Sequence, residues 1–132
     1  MPFRFDYLKF CEVFLQMKDL EKFPLLQKMA SENDYDGMEM LAMFDMDDGS
    51  PVAVAIYEPD DATGFPEYRI KCLEVRSDRH LQGLGTAMLD ELKNSTYRIR
   101  LGYLHDVKVF YEKNHFIESG EGEMVWTEAY EC

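Results

Sequence analysis

The hydrophobic period of the chain changes partway through residues 68–92. Residues 68–76 carry apolar side chains on both faces, with Ile70, Cys72 and Glu74 expected to alternate against their neighbours, as in an interior strand. Beyond Gly83, four apolar residues recur at helical spacing: Leu84, Met88, Leu89 and Leu92. A strand followed directly by a helix restricts the chain to a sheet with helices packed against it.

The flanking patterns complete an α/β or α+β domain. Apolar spacing predicts a helix over residues 10–20, and Pro24 opens a second, short helix. A last short helix is expected over residues 107–115, with Asp106 as its N-cap and His105 before it in a structural role. Further strands are predicted over residues 38–44, 52–58 and 98–104 and twice within residues 116–130. A hairpin turn at residues 48–51 should join the first two of these.

The composition is that of one globular domain. The chain has 132 residues, 46% hydrophobic and 30% charged, which excludes disordered and fibrous classes. No apolar run reaches the roughly 18 residues of a membrane span, and the sequence begins without a secretory pattern. Cys11, Cys72 and Cys132 show neither disulfide nor metal-ligand spacing. We therefore expect a single domain over residues 1–132, in the cytoplasm, with reduced thiols and no structural metal.

The charge is unevenly distributed. A net charge of -12 argues against nucleic-acid binding. Residues 29–68 contain eleven acidic side chains and neither Lys nor Arg, whereas residues 69–113 contain nine basic and six acidic ones. The basic stretch suits an anion, and the acidic stretch is expected to form a wall that attracts a cationic acceptor. The alternative is an acidic surface that only keeps the protein soluble.

Residues 75–87, VRSDRHLQGLGTA, lie between the predicted strand and helix. Gly83 and Gly85 allow backbone N–H groups to approach a ligand, and the helix N-terminus adds unpaired donors and partial positive charge. This arrangement favours a phosphate or pyrophosphate site, the alternative being a tight turn. No Gly-Lys-Ser/Thr follows, and Met88 interrupts a dinucleotide fingerprint.

This segment resembles the acetyl-CoA-binding motif of the GNAT superfamily of acyltransferases. Residues 110–116, FYEKNHF, are similar to the second signature of that family, and a predicted strand separates the two. The resemblance implies a mixed, mostly antiparallel sheet of about six to seven strands with about four helices. It also implies a splay between the fourth and fifth strands and acetyl-CoA as cofactor.

The resemblance also implies roles for individual residues. Backbone groups of Leu73 and Val75 would hold the pantetheine arm like an added strand. The pyrophosphate would be bound by the loop residues His80 and Leu81 and the amides of Gln82, Gly83, Gly85 and Thr86. Phe110 would pack near the cofactor, and Tyr111 would protonate the departing thiolate.

Three positions depart from the family pattern. His80 stands where Gln or Arg is usual, which weakens a side-chain contact and leaves the amides intact. Leu104 stands where an Asn often contacts the pantetheine arm. His115 replaces a helix-ending Gly, which bears on the turn more than on the chemistry.

Attack by an amine on a thioester requires a base, because an ammonium must first lose a proton. Glu74, on the strand beside the cofactor, is the candidate, with Glu67 and Glu58 as weaker ones. The alternatives are a solvated or paired carboxylate and a proton relay through water. Cys72 could suggest a covalent route, but a cysteine on a central strand is usually a core residue.

The sequence thus predicts an N-acetyltransferase that moves an acetyl group directly from acetyl-CoA to an amine. The acceptor is expected to be a cationic small molecule or a Lys or N-terminal amine. A CoA-binding regulatory domain without catalysis and an unrelated α+β interaction domain remain open. A homodimer is possible, and no nucleic-acid or membrane partner is expected.

Overall fold

A computed structural model describes residues 3–9, 22–32, 37–47, 49–60, 64, 66–80, 83–102 and 107–128. The helix predicted over residues 10–20 lies outside these ranges. So do several residues singled out above: Cys11, Leu81, Gln82, Leu104, His105, Asp106 and Cys132. Within the described ranges, no helix combines the length and the apolarity that a bilayer crossing requires.

One mixed sheet of seven strands organises the fold, in the order β1-β2-β3-β4-β5-β7-β6. The strands are β1 (Phe3–Lys9), β2 (Glu39–Asp45), β3 (Pro51–Asp60), β4 (Glu67–Val75), β5 (Arg98–Gly102), β6 (Ile117–Gly120) and β7 (Glu123–Thr127). The helices are α1 (Pro24–Glu32), α2 (Leu84–Lys93) and α3 (Lys108–Lys113). All neighbouring strands are antiparallel except the parallel pair of β4 and β5. The predicted mixed, mostly antiparallel sheet is confirmed.

Each face of the sheet buries its own apolar cluster. The larger cluster includes the helix residues predicted for it, Leu84, Met88, Leu89 and Leu92, together with Tyr111, Phe116 and Trp126. The smaller cluster, on the other face, contains Phe23 and Leu26 packed against Met40, Ala42, Val54 and Ile56. Both faces of β4 are therefore covered, as the strand pattern predicts for an interior strand.

The described pairing of β4 with β5 covers the first half of β4. Their register runs from Glu67 opposite Arg98 to Ile70 opposite Leu101, while β4 continues to Val75. The pairing of β4 with β3 shifts at this point, because Ile56 faces Cys72 and Tyr57 faces Ile70, which leaves Lys71 as an extra residue. Such a bulge increases the local twist and ends regular pairing. The bulge therefore lies where the described pairing of β4 with β5 ends, which agrees with the predicted splay.

The bulge also changes which side chains share a face. The sequence predicts that Ile70 and Cys72 lie on one face, but Ile70 belongs to the larger cluster and Cys72 packs against the smaller one. The strict alternation was wrong because Lys71 adds one residue between them. Strand β1 was not predicted, although Phe3, Phe5 and Tyr7 alternate along it.

An ion-pair network closes the paired end of β4 and β5. The carboxylate of Glu67 is buried and lies within 3.5 to 3.6 Å of the guanidinium groups of Arg69, Arg98 and Arg100. Arg100 also binds Glu123 of β7 at 2.7 Å. These pairs hold three adjacent strands together at one end, whereas the described part of β5 makes no pair with β4 beyond Ile70.

Helix α3 ends in a Schellman motif. The N–H of Phe116 donates to the carbonyl of Tyr111 at 3.1 Å, and the N–H of His115 donates to that of Glu112 at 3.1 Å. His115 has φ 70°, the left-handed conformation that favours Gly, and it is the non-glycine residue with positive φ in the described chain. The prediction that His115 affects this turn is confirmed.

Replacement of His115 by Gly should stabilise the protein. Gly adopts the left-handed conformation without the penalty of a Cβ atom, so we expect the free energy of unfolding to rise by about 1 kcal/mol. Urea denaturation measures the change. His115→Ala is the control, because it removes the same imidazole and keeps the Cβ. Equal stability of the Gly and Ala variants would contradict the backbone argument.

Candidate active site

A cleft of about 880 Å³ opens where β4 leaves β5. Its walls come from the end of β4, the loop after it, the start of α2, helix α3 and the first turn of α1. The lining residues with predicted roles are Leu73, Glu74, Val75, His80, Gly83, Gly85, Thr86, Phe110 and Tyr111. The structure therefore brings together the described residues that the sequence assigned to the cofactor and the two main catalytic candidates, Glu74 and Tyr111.

The backbone of Leu73 and Val75 faces the open side of β4. The N–H of Arg76 donates to the carbonyl of Val52 on β3 at 2.8 Å. Because hydrogen-bonding direction alternates along a strand, Glu74 also faces β3, while Leu73 and Val75 present their polar groups to the opposite side, where β4 has no strand partner among the described residues. This half-strand can pair with an extended ligand, as the sequence predicts.

His80 already contacts this edge. Its Nε2 lies 3.1 Å from the carbonyl oxygen of Val75, and a carbonyl only accepts, so the imidazole N–H donates. His80 is exposed. The side chain is thus a neighbour of the strand edge and lines the cleft, and its role in pyrophosphate binding stays a prediction.

The first amides of helix α2 lack partners within the helix. Gly83 is its N-cap with φ 75°, and no side chain caps the helix there. The first intrahelical hydrogen bond joins the N–H of Ala87 to the carbonyl of Gly83. The N–H groups of Leu84, Gly85 and Thr86 therefore have no intrahelical partner, and they can bind an anion.

Close packing joins α2 to α3 beneath this helix terminus. A Cβ on Gly85 would lie 3.0 Å from Cζ of Phe110 and 3.8 Å from a methyl group of Val75, so Gly85 allows the ring to approach. Buried Asn114 donates to the carbonyl of Phe110 at 2.9 Å and contacts the hydroxyl of Thr86 at 3.4 Å. Sequence reasoning missed Asn114 as a support of the site.

Two arginines hold the loop between β4 and α2. The buried guanidinium of Arg76 donates to Asp78 at 2.6 Å, to the hydroxyl of Ser50 at 2.9 Å and to the carbonyl of Pro51 at 3.1 Å. Arg79 binds the buried Asp45 at 2.5 Å. These bonds tie the loop to the turn between β2 and β3. Because the partners outside the loop are 25 to 34 residues away, no local sequence signal reveals this anchoring role.

The basic stretch therefore supplies less free charge to the cleft than the sequence suggests. Arg69, Arg98 and Arg100 surround Glu67, and Arg79 is the Lys or Arg side chain among the described lining residues. Within the described lining, an anion would meet mainly the amides and the dipole of α2.

Tyr111 projects from α3 into the larger apolar cluster and lines the cleft. Its ring makes edge contacts with Phe110 and Phe116, with centroids 5.0 and 5.5 Å away. Burial, with a smaller contribution from Cys72, raises the pKa of Tyr111 to about 12. The hydroxyl thus keeps its proton at neutral pH, as a proton donor must.

Glu74 is engaged by the first turn of α1. It is 8% exposed, and its carboxylate accepts the N–H of Leu25 at 3.0 Å and that of Leu26 at 2.8 Å. A carboxylate has further lone pairs, so its role as a base stays a prediction. Both oxygens nevertheless serve a structural purpose that the sequence did not predict.

Cys72 fits the core role. Burial, and then the charge of Glu74, raises the pKa of its thiol to about 12. A protonated thiol is a poor nucleophile, which disfavours an acyl-cysteine route.

The weaker base candidates lie apart from the cleft. Glu67 is bound in the arginine network, and Glu58 pairs in register with Arg69 near the same end of β4. Neither lines the cleft, and none of the described lining residues comes from residues 29–68. The acidic wall expected from the sequence is thus not found among the described residues. The cationic acceptor stays a prediction.

Sequence searches against protein-family models and curated proteins find no match. Solved structures do match. A structure assigned to an N-acetyltransferase from Lactobacillus plantarum has a TM-score of 0.71 and 11% identity, over 96% of this chain and 99% of that one. One assigned to an acetyltransferase of the GNAT family from Desulfovibrio desulfuricans has a TM-score of 0.63 and 15% identity, over 95% and 98%.

A third match is AtaTR bound with AcCoA, with a TM-score of 0.68 and 9% identity over 98% of this chain and 96% of that one. At such identities the likeness concerns the fold. The resemblance drawn from residues 75–87 and 110–116 is confirmed at that level: the chain has the fold of the GNAT acetyltransferases.

Proposed function

We propose that this protein is a GNAT-type N-acetyltransferase that moves an acetyl group from acetyl-CoA to an amine. The observation that carries the proposal is the meeting, in one cleft, of the open edge at Leu73 and Val75 with the N-terminus of α2. An extended amide chain ending in a pyrophosphate matches these two features together.

The described residues fit acetyl-CoA. The cleft volume of about 880 Å³ is within the range of cofactor sites. The strand edge would hold the pantetheine arm, and the amides of Leu84, Gly85 and Thr86 would hold the pyrophosphate. When bound, acetyl-CoA supplies an activated acyl group with a thiolate as leaving group.

The chain itself supplies positioning and a proton. Tyr111 holds a proton on its Oη at neutral pH and would donate it to the leaving sulfur. The raised thiol pKa of Cys72 supports direct transfer to the amine. Because Glu74 is bonded to α1, we propose that water accepts the amine proton. The alternative, a CoA-binding domain without catalysis, predicts cofactor binding with no transfer to any amine.

We expect Gly83→Val to weaken CoA binding about tenfold or more. A β-branched residue is strained at φ 75°, so the loop must relax and the amides of α2 lose their alignment. Calorimetry on the folded variant measures the affinity. Gly122→Val is the matched control, because Gly122 has φ 73° in the turn between β6 and β7 and open space around its Cβ. Equal CoA affinity in both variants would contradict the assignment.

We expect Tyr111→Phe to lower kcat about a hundredfold while CoA affinity stays nearly unchanged. The substitution removes the Oη–H and keeps the ring contacts with Phe110 and Phe116. Steady-state release of CoA with an accepted amine, together with calorimetry, provides both values. Tyr7→Phe is the control, since Tyr7 lies on β1 and binds Glu91 and Ser95. An unchanged kcat would make Tyr111 a packing residue, provided that chemistry limits the rate.

A further inference from the structure

The N-terminus of α1 is capped from a distant strand. The N–H of Gln27 donates to the carbonyl of Phe23 at 2.9 Å, so Phe23 occupies the N-cap position, where its side chain offers no acceptor. Pro24 has no N–H, and the next two orphan donors belong to Leu25 and Leu26. Glu74 accepts both, one on each carboxylate oxygen. A residue 48 to 49 positions away thus replaces the usual local cap.

This cap fixes the first turn of α1 against β4. Phe23 and Leu26 are fully buried in the smaller cluster, beneath the helix. Pro24 and Leu25 instead line the cleft, and Leu25 is 57% exposed. Glu74 lies between the open strand edge and this turn. Its two hydrogen bonds therefore fix the position of Pro24 and Leu25, which form one wall of the cleft.

That wall and its surroundings are apolar. Leu25 and Val107 are large apolar side chains that are 57% and 39% exposed, and both line the cleft. Leu73 and Phe110 also line the cleft. Among the described lining residues, the acidic side chain is Glu74, and both of its oxygens are already engaged. The described cleft thus offers apolar contact and no unengaged carboxylate for an additional ammonium group.

We propose that Glu74 is a positioning residue which holds Pro24 and Leu25 as an apolar wall of the acceptor site, and that this wall selects an amine carried on an apolar group. The inference rests on the proposed function, since the acceptor must reach the thioester in this cleft. In this proposal Glu74 caps the N-terminus of α1, and water accepts the proton of the amine.

Glu74→Gln tests the positioning role. The carboxamide has the shape of the carboxylate but a single acceptor oxygen, so one of the two amides faces an NH₂ group. Hydrogen exchange at the amides of Leu25 and Leu26 should accelerate about tenfold or more. With an accepted amine, KM should rise about tenfold, while kcat, the shape of its pH profile and the Kd of CoA stay nearly unchanged.

A general base would give the opposite pattern. If Glu74→Gln lowered kcat, removed its rise with pH and left KM and amide exchange unchanged, the positioning role would be overturned. Glu118→Gln is the control for removing one acidic charge, because Glu118 binds Lys108 at 2.6 Å on the exposed β6.

Acceptor choice tests the apolar wall. Phenethylamine and leucinamide should have higher kcat/KM than spermidine and lysinamide. Leu25→Gln should reduce this preference about tenfold, whereas Ile117→Gln, at an apolar residue 51% exposed on β6, should leave it unchanged. A preference for the polycations, or an unchanged preference in Leu25→Gln, would overturn the selectivity.

The two proposals fail in different ways. If the wild-type protein does not bind CoA, or binds it without transfer to any amine of the panel, the proposed function is wrong. The acceptor selectivity is then wrong as well. The exchange rates of Leu25 and Leu26 in Glu74→Gln would still decide whether Glu74 holds the helix.

Discussion

The end of the pairing between β4 and β5 is the constraint on which the rest of the site depends. The bulge at Lys71 ends the regular pairing just after Ile70, and the network around Glu67 keeps the other end closed. The remaining half of β4 lines the cleft, and the polar backbone groups of Leu73 and Val75 have no strand partner among the described residues on that side. An unpaired interior half-strand is costly to leave buried, which explains why it lies at a cavity where a ligand can pair with it.

The loop and helix after β4 complete the site because neighbouring elements hold them in place. Arg76 and Arg79 tie the loop to the turn between β2 and β3, and Asn114 joins the start of α2 to α3. Arg76 and Arg79 therefore serve mainly to hold the loop and its backbone amides in position. Amides that are already in position can bind an anion without reorganisation. They can do so although the net charge of the chain is -12.

The local parts of this architecture could be predicted from the sequence. The apolar spacing from Leu84 to Leu92 identified α2 and its buried face, and the glycine departure at His115 identified a turn that does have positive φ. The hairpin between β2 and β3 and the short helix at Pro24 follow from turn and helix-start residues. The alternating aromatic residues of β1 indicate a strand, but the N-terminal region was interpreted as helical.

What depends on distant partners could not be predicted. Glu74 resembles any strand carboxylate until the amides of Leu25 and Leu26 are seen beside it. The charge runs were similarly misleading, because ion pairs between separate strands neutralise side chains that look free in sequence. The fold could be predicted because it follows from local patterns. The site could be predicted only in part, because its side chains pair with residues far away in the sequence.

Titration of the protein with CoA, followed by the backbone amide chemical shifts in NMR spectra, tests the central claim most directly. The account predicts saturable shifts at Leu73 and Val75 on the open edge and at Leu84, Gly85 and Thr86 at the start of α2, with little change at Arg98 in the closed end. Shifts confined to other parts of the chain, or no shifts at millimolar CoA, would contradict it.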